Sequence, residues 1–191
     1  ELNRWSHVLY FQSNWRGIHH LLSKHEENTL NLTDRAVTAM YYAWLGWSLL
    51  GIEEYENGEK FLLKALKIGK EIEDQKIIAY VYTWYSWMLT TMGRCDEAIV
   101  YGEKAIKLAT EFDLDIYIHF KSRAGVAQTY WYCGDRLKSL EVGRKLVEFG
   151  KSRGSIPAIT FGYLEIGASY LVDGNFAKAI EWLDRIVTAQ K

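Results

Sequence analysis

The chain has 191 residues, 49% of them hydrophobic, with 23 basic against 24 acidic side chains and a formal net charge of −1. Such a chain can bury a sizeable core, and its near-balanced charge leaves no general electrostatic footprint for nucleic acid. The most apolar run, residues 39–52, contains Ser48 and stops at Glu53 and Glu54. It falls short of the roughly 20 residues that cross a bilayer and is predicted to be a buried helix.

In chain order the same helix-turn-helix pattern returns five times, centred on Ser13, Glu53, Gly93, Gly134 and Gly174. The units fall at approximately 1–32, 33–76, 77–115, 116–155 and 156–191, joined by short connections at 26–33, 73–76, 113–115 and 153–156. The single proline, Pro157, follows Gly154 and Ser155 and suits the first turn of the helix that opens the last unit. Self-similarity at this period marks a solenoid, whose units stack on their neighbours and present an extended surface instead of a catalytic cavity. Two columns show how each pair packs. Seven residues before the turn stand Ser6, Gly46, Ser86, Ala127 and Gly167, and five after it Ile18, Gly58, Ala98, Ser139 and Ala179. Small residues there, in all five units of the first column and four of five of the second, let two helices cross closely. Four before the turn the column is large: Leu9, Leu49, Leu89, Tyr130, Tyr170. Large against small is what ridges-into-grooves packing requires.

The stretch 174–181, Gly-Asn-Phe-Ala-Lys-Ala-Ile-Glu, with Gly167 and Tyr170 upstream, resembles the tetratricopeptide repeat. A period of 40 exceeds the usual 34 or so and resembles the longer variant of kinesin light chains, polarity adaptors and the sensor regions of bacterial ATPase-linked signalling proteins. Arg123 and Arg136 depart from the pattern, standing where aromatic or apolar residues are usual. The resemblance implies an all-α fold, a right-handed superhelical α-solenoid of five antiparallel helix pairs, in which the first helix of each pair lines the concave wall.

Six and nine residues before the turn, the inward columns read His7, Trp47, Trp87, Gln128, Ala168 and Arg4, Trp44, Trp84, Gly125, Glu165. Trp44, Trp47, Trp84 and Trp87 are therefore expected to converge on one patch, with Met40, Tyr80 and Trp131 at its margins and Gln128 and Lys121 beside it. Two readings stand. The rings either form a groove that takes a peptide or helix, or fill a tight superhelix as core. The lysine- and asparagine-lined carboxylate clamp of some tetratricopeptide domains is not expected, because only Lys121 stands in a suitable place.

Cys95 and Cys133 form no disulfide framework or metal knuckle by spacing and read as free thiols in a reducing cytoplasm. The five histidines include no zinc-protease pair, and no phosphate loop, dinucleotide fingerprint or nucleophile elbow occurs. No cofactor, metal site or enzymatic activity is expected, and neither nucleic acid nor membrane is an expected partner. Residues 121–153 carry eight basic against three acidic side chains, and residues 53–74 seven acidic against four basic. That reads as a solvated face or as a bipolar surface orienting a charged partner. The chain opens on Glu1 and closes on a helix with nothing following to cover it. It is read as a piece of a longer protein, with end-to-end self-association expected at the open end. The expected role is a protein-interaction scaffold whose partner is a protein, a peptide or another domain of the same chain. The alternative is a sensory segment of a multidomain signalling enzyme or transcription activator.

Overall fold

The computed structural model describes residues 1–30 and 32–189. The last repeat's expected close at Lys191 therefore lies outside the described residues. Eleven helices are present among them: α1 (Leu2–Phe11), α2 (Trp15–Ser23), α3 (Glu26–Leu30), α4 (Arg35–Leu50), α5 (Tyr55–Glu71), α6 (Gln75–Thr91), α7 (Cys95–Glu111), α8 (Ile116–Tyr132), α9 (Arg136–Arg153), α10 (Ile156–Val172) and α11 (Phe176–Ala189). Ten of these form the five expected pairs. The eleventh, α3, lies in the 26–33 stretch expected to be a plain connection, and α1 and α2 are only 10 and 9 residues long where the later helices mostly have 17.

Each turn is built the same way. Ser13, Glu53, Gly93, Gly134 and Gly174 all have positive φ, between 54° and 88°. The left-handed residue lets the next backbone N–H reach back to the carbonyl of the large apolar column: Asn14 to Leu9, Glu54 to Leu49, Arg94 to Leu89, Asp135 to Tyr130 and Asn175 to Tyr170, at 2.7–2.9 Å. These are Schellman-type closures that satisfy carbonyls a helix end leaves unpaired. The column seen as packing in the sequence thus also carries the turn. Side-chain caps then start the next helices, with Asn14, Asp74, Asp115, Asp135 and Ser155 accepting from backbone N–H groups three residues on.

Within pairs the small columns meet. A Cβ added at Gly46 would lie 2.8 Å from the Gly58 carbonyl oxygen, and one added at Gly58 would lie 3.0 Å from that of Gly46. In the third pair the Ser86 hydroxyl donates to the Ala98 carbonyl at 2.7 Å, and in the fourth the Ser139 hydroxyl donates to Ala127 at 2.8 Å. Between pairs the packing is lopsided. Each first helix touches the next first helix (α1 to α4, α4 to α6, α6 to α8, α8 to α10), whereas successive second helices are splayed apart. The first helices therefore form the inner, concave wall and the second helices the outer face.

The cysteines correct the sequence reading. Cys95 and Cys133 are joined in a disulfide, with Cα atoms 6.4 Å apart. They are 38 residues apart in the chain but flank the turns at Gly93 and Gly134, which the stacking of neighbouring pairs places side by side. Spacing rules looked for a pairing signature within one unit and could not see a bridge created by the repeat itself. The argument for a reducing compartment rested on free thiols and loses that support.

Candidate functional site

The concave wall is lined by rings in contact from one end to the other. His7 meets Trp44 at 4.6 Å between ring centroids, Trp44 meets Trp84 at 4.7 Å, and Trp47 stacks on Trp84 at 5.5 Å. Tyr80 packs on both Trp84 and Tyr117, and the series continues through Phe120 to Phe161. From the far side Trp15 and Tyr10 close on Trp47 and Trp44, and the Tyr10 side chain reaches the Tyr117 hydroxyl. Burial raises the pKa of both phenols, so they remain neutral donors. The first pair thus curves round against the fourth, which accounts for how little of the wall is open.

Of the nine residues expected at the groove, Trp44 and Trp84 have no exposed surface and Trp47 retains 2%. They form the floor. Met40 is half-buried and shares an apolar cavity of about 340 Å³ with Trp44, Tyr80, Val37, Ile77, Asn3 and His7. Two polar atoms of that lining, Asn3 Oδ1 and Trp44 Nε1, are buried with no hydrogen-bond partner. Trp87, half-buried, donates its indole N–H to the Lys121 carbonyl at 3.1 Å, and its ring lies 4.0 Å from the Lys121 ammonium. Trp131 donates to Glu165 at 2.8 Å, and Gln128 is half-buried beside these groups on α8. Met40, Trp44 and Tyr80 are therefore brought together, Trp87 with Lys121 forms a second group, and Trp131 joins Glu165 instead of the tryptophan floor.

Lys121 is 5% exposed and Glu165 2%. Burial is the main cause of both shifts: it pulls the lysine down to about 8, the Glu165 charge partly opposing, and pushes the carboxyl up to about 7 against the Trp131 hydrogen bond and the Lys121 charge. A second apolar cavity, of about 520 Å³, opens between Tyr10, Phe11, Trp15, Tyr117, Phe120 and Phe161. The sequence reading missed this one. Phe161 was within reach of it, since the column thirteen residues before the turn runs Met40, Tyr80, Lys121, Phe161. Tyr10 and Tyr117 carry no such signal, because their meeting depends on the curvature of the whole array. Among the described residues no group of three or more His, Cys, Asp or Glu side chains could hold a metal ion, and no helix is long and apolar enough to cross a membrane.

By sequence, no family model and no curated protein matches the chain. Its backbone nevertheless superposes on solved repeat proteins. A putative kinesin light chain with TPR-like repeats from Podosopora anserina matches with a TM-score of 0.70 at 13% identity, over 99% of this chain and 93% of that one. BtubC (BKLC) from P. vanneervenii matches with a TM-score of 0.74 at 15% identity, over 97% and 76% of the two chains. The fold is a tetratricopeptide-like solenoid. MamA protein is similar over 97% of this chain and 87% of its own, with a TM-score of 0.55 and 17% identity. At about one residue in seven shared with the first two of these, the likeness is one of fold.

Proposed function

We propose that the chain is a protein-interaction scaffold that takes a peptide or helix against its aromatic concave wall, the first cavity serving as the anchor point. The observation that supports this reading is the apolar cavity itself, about 340 Å³, with half-buried Met40 and exposed Val37 in its wall. Its wall is mainly apolar, from Ala36, Val37, Met40, Trp44, Ile77 and Tyr80, with Asn3, His7, Asp74 and Lys76 completing the lining. An apolar side chain of a bound segment fills that space against Val37, Met40 and Ile77. In this reading Trp44, Trp47 and Trp84 hold the floor rigid, Met40 and Tyr80 touch the bound segment, and Trp87, Lys121, Gln128 and Trp131 extend the track. The segment belongs to another protein or to a further part of the same chain. Copies also associate end to end through α11, whose Phe176, Ile180 and Val187 are about 60% exposed, and sedimentation of Ile180→Lys tests that association.

The groove is tested with dodecapeptides selected from a phage-displayed random library against the wild-type chain. Val37 is 42% exposed, so Val37→Glu is expected to leave the melting temperature within a few degrees. In combination with Met40→Glu it should weaken the selected peptides at least about tenfold, as loss of a central apolar anchor does. Peptides that bind both variants as well as they bind the wild type would place the working surface elsewhere.

A further inference from the structure

The second apolar cavity, of about 520 Å³, is lined by six aromatic rings together with Ser13 and Pro157. No charged side chain takes part in its lining, whereas His7, Asp74 and Lys76 stand in the wall of the first cavity. The six rings divide evenly between two walls. Tyr10, Phe11 and Trp15 come from the first pair; Tyr117 and Phe120 come from α8, and Phe161 from α10. Within each wall the rings hold one another. Tyr10 lies 5.4 Å from Phe11 and 5.5 Å from Trp15, and Phe120 lies 5.5 Å from Tyr117 and 5.4 Å from Phe161. Among the described residues no ring of one wall packs on a ring of the other. Nor is there broad backbone packing across the seam, since α1 and α2 pack on each other and on α4.

The polar atoms of this seam form a chain with one donor to spare. The Trp84 indole N–H donates to the Tyr117 hydroxyl at 3.1 Å, and Tyr117 donates in turn to Tyr10. The Tyr10 O–H ends the chain with no further partner among the described residues. Charge narrows the choice of occupant. The Lys121 ammonium already lies 4.7 Å from the Phe161 ring centre, and no carboxylate lines the cavity to balance a second cation. An anion would meet the negative faces of the rings and no cationic group in the lining. What fits is neutral.

We infer that this cavity is a binding site for a neutral aromatic small molecule with a hydrogen-bond acceptor, held between the two walls with its acceptor on the Tyr10 hydroxyl. The volume falls within the roughly 300–1,000 Å³ of small-molecule sites. The walls face each other across the curve of the array instead of running along it, which suits a compact molecule better than an extended segment. The occupant supplies the ring contacts that the walls do not make directly, and so ties the first pair to the fourth and fifth. The site shares no lining residue with the first cavity and is independent of the peptide reading.

The probes are β-acetylnaphthalene, which carries an acceptor, and β-isopropylnaphthalene, which has a similar shape without one. Titrated into protein with isotope-labelled aromatic rings and methionine methyls, both should shift the Tyr10, Phe11, Tyr117 and Phe161 signals and leave the Met40 methyl of the first cavity in place. The ketone should bind about fivefold more tightly, as one net hydrogen bond provides. Tyr10→Phe should bring the ketone down to the level of the hydrocarbon and leave the hydrocarbon unchanged. Phe11 is 76% exposed, so Phe11→Ala should hold its melting temperature within a few degrees and weaken both probes about fivefold. Saturating ketone should also slow amide hydrogen exchange in α1, which carries one wall. Should Tyr10→Phe fail to fold, the two probes compared on the wild type still read the hydrogen bond. Unmoved cavity rings, equal binding of ketone and hydrocarbon, indifference to Phe11→Ala, or unslowed exchange in α1 would each overturn the inference. So would a blocked Gly-Trp-Gly peptide that binds these rings more tightly than the ketone, since the site would then be one for a protein side chain.

Discussion

In the second and third pairs the inward columns hold Trp44 with Trp47 and Trp84 with Trp87; in the fourth the same positions are Gly125 and Gln128. The difference is a fit between neighbours. A Cβ added at Gly125 would lie 2.5 Å from Trp87 Nε1, so the glycine is the seat on which the ring of the preceding unit rests. Trp84 likewise passes its N–H to Tyr117 of α8 at 3.1 Å, and Trp131 reaches forward to Glu165 of α10. Each indole leans on the next unit. The third pair therefore needs a neighbour with a small residue in the inward column, and the fourth pair, with Gly125 there, completes the stack.

The comparison breaks most sharply at Trp84, which has no exposed surface and touches Trp44, Trp47 and Tyr80. Trp84→Ala is expected to cost about 3–5 kcal/mol of unfolding free energy, measured by urea denaturation. The double variant Trp47→Ala, Trp87→Ala should also lose stability, with the larger share from the more deeply buried Trp47. A Trp84→Ala chain as stable as the wild type would mean that the rings carry little of the packing and are free to serve a ligand.

How much of this was legible depends on whether a feature belongs to a column or to the curvature. The five turns, the small crossings at Gly46–Gly58 and Ser86–Ala98, and the alignment of Met40, Trp44 and Tyr80 recur at a fixed offset, and a periodic sequence displays them directly. The burial of Trp44, the closure of Tyr10 on Tyr117 and the Cys95–Cys133 bridge depend on how far each pair rotates against the next. No single unit encodes that rotation. α3 escaped for a different reason, since five residues are too few to show a helical period.

The bridge lies at the junction between the third and fourth pairs, where the two halves of the comparison meet. Closing a loop of 38 residues removes chain entropy worth up to about 4 kcal/mol. Cys95→Ser, or thiol reduction of the wild type, should lower the melting temperature, and the loss should be larger in the Trp84→Ala background if that junction opens first. Equal melting with and without reductant would show that the packing alone holds the junction.

The buried pair of the fourth and fifth units gives a pH signature that the tryptophan-rich units lack. Glu165 in the fold holds its proton up to about 7 instead of 4.5, so its contribution to stability is present at low pH and is lost as pH rises towards 7. Lys121 releases its proton at about 8 instead of 10.5, so its penalty is in force below 8 and fades as pH climbs from there. Together they place a stability minimum between about 7 and 8. Melting temperatures from pH 5 to about 9 should trace that trough, and Glu165→Gln should remove its acid-side fall. A wild-type profile flat from pH 5 to 7 would mean the carboxylate is better hydrated than its 2% exposure implies.

The finest test is at Gly125, where two small effects oppose one another. Replacing a helical glycine by alanine adds about 1 kcal/mol through backbone propensity. Here the new methyl would push on the Trp87 indole, whose N–H is also held by the Lys121 carbonyl, so the ring cannot move without breaking that bond. Overpacking of this kind costs about 1–3 kcal/mol, and Gly125→Ala is expected to be destabilising by the difference. In a Trp87→Leu background the obstacle is gone and the same change should become stabilising. The sign reversal across this double-mutant cycle isolates the ring-on-glycine contact from every other consequence of either mutation. Without it, Gly125 would be an ordinary helix-weakening glycine, and the dependence of one unit on its neighbour would have to be sought elsewhere on the wall.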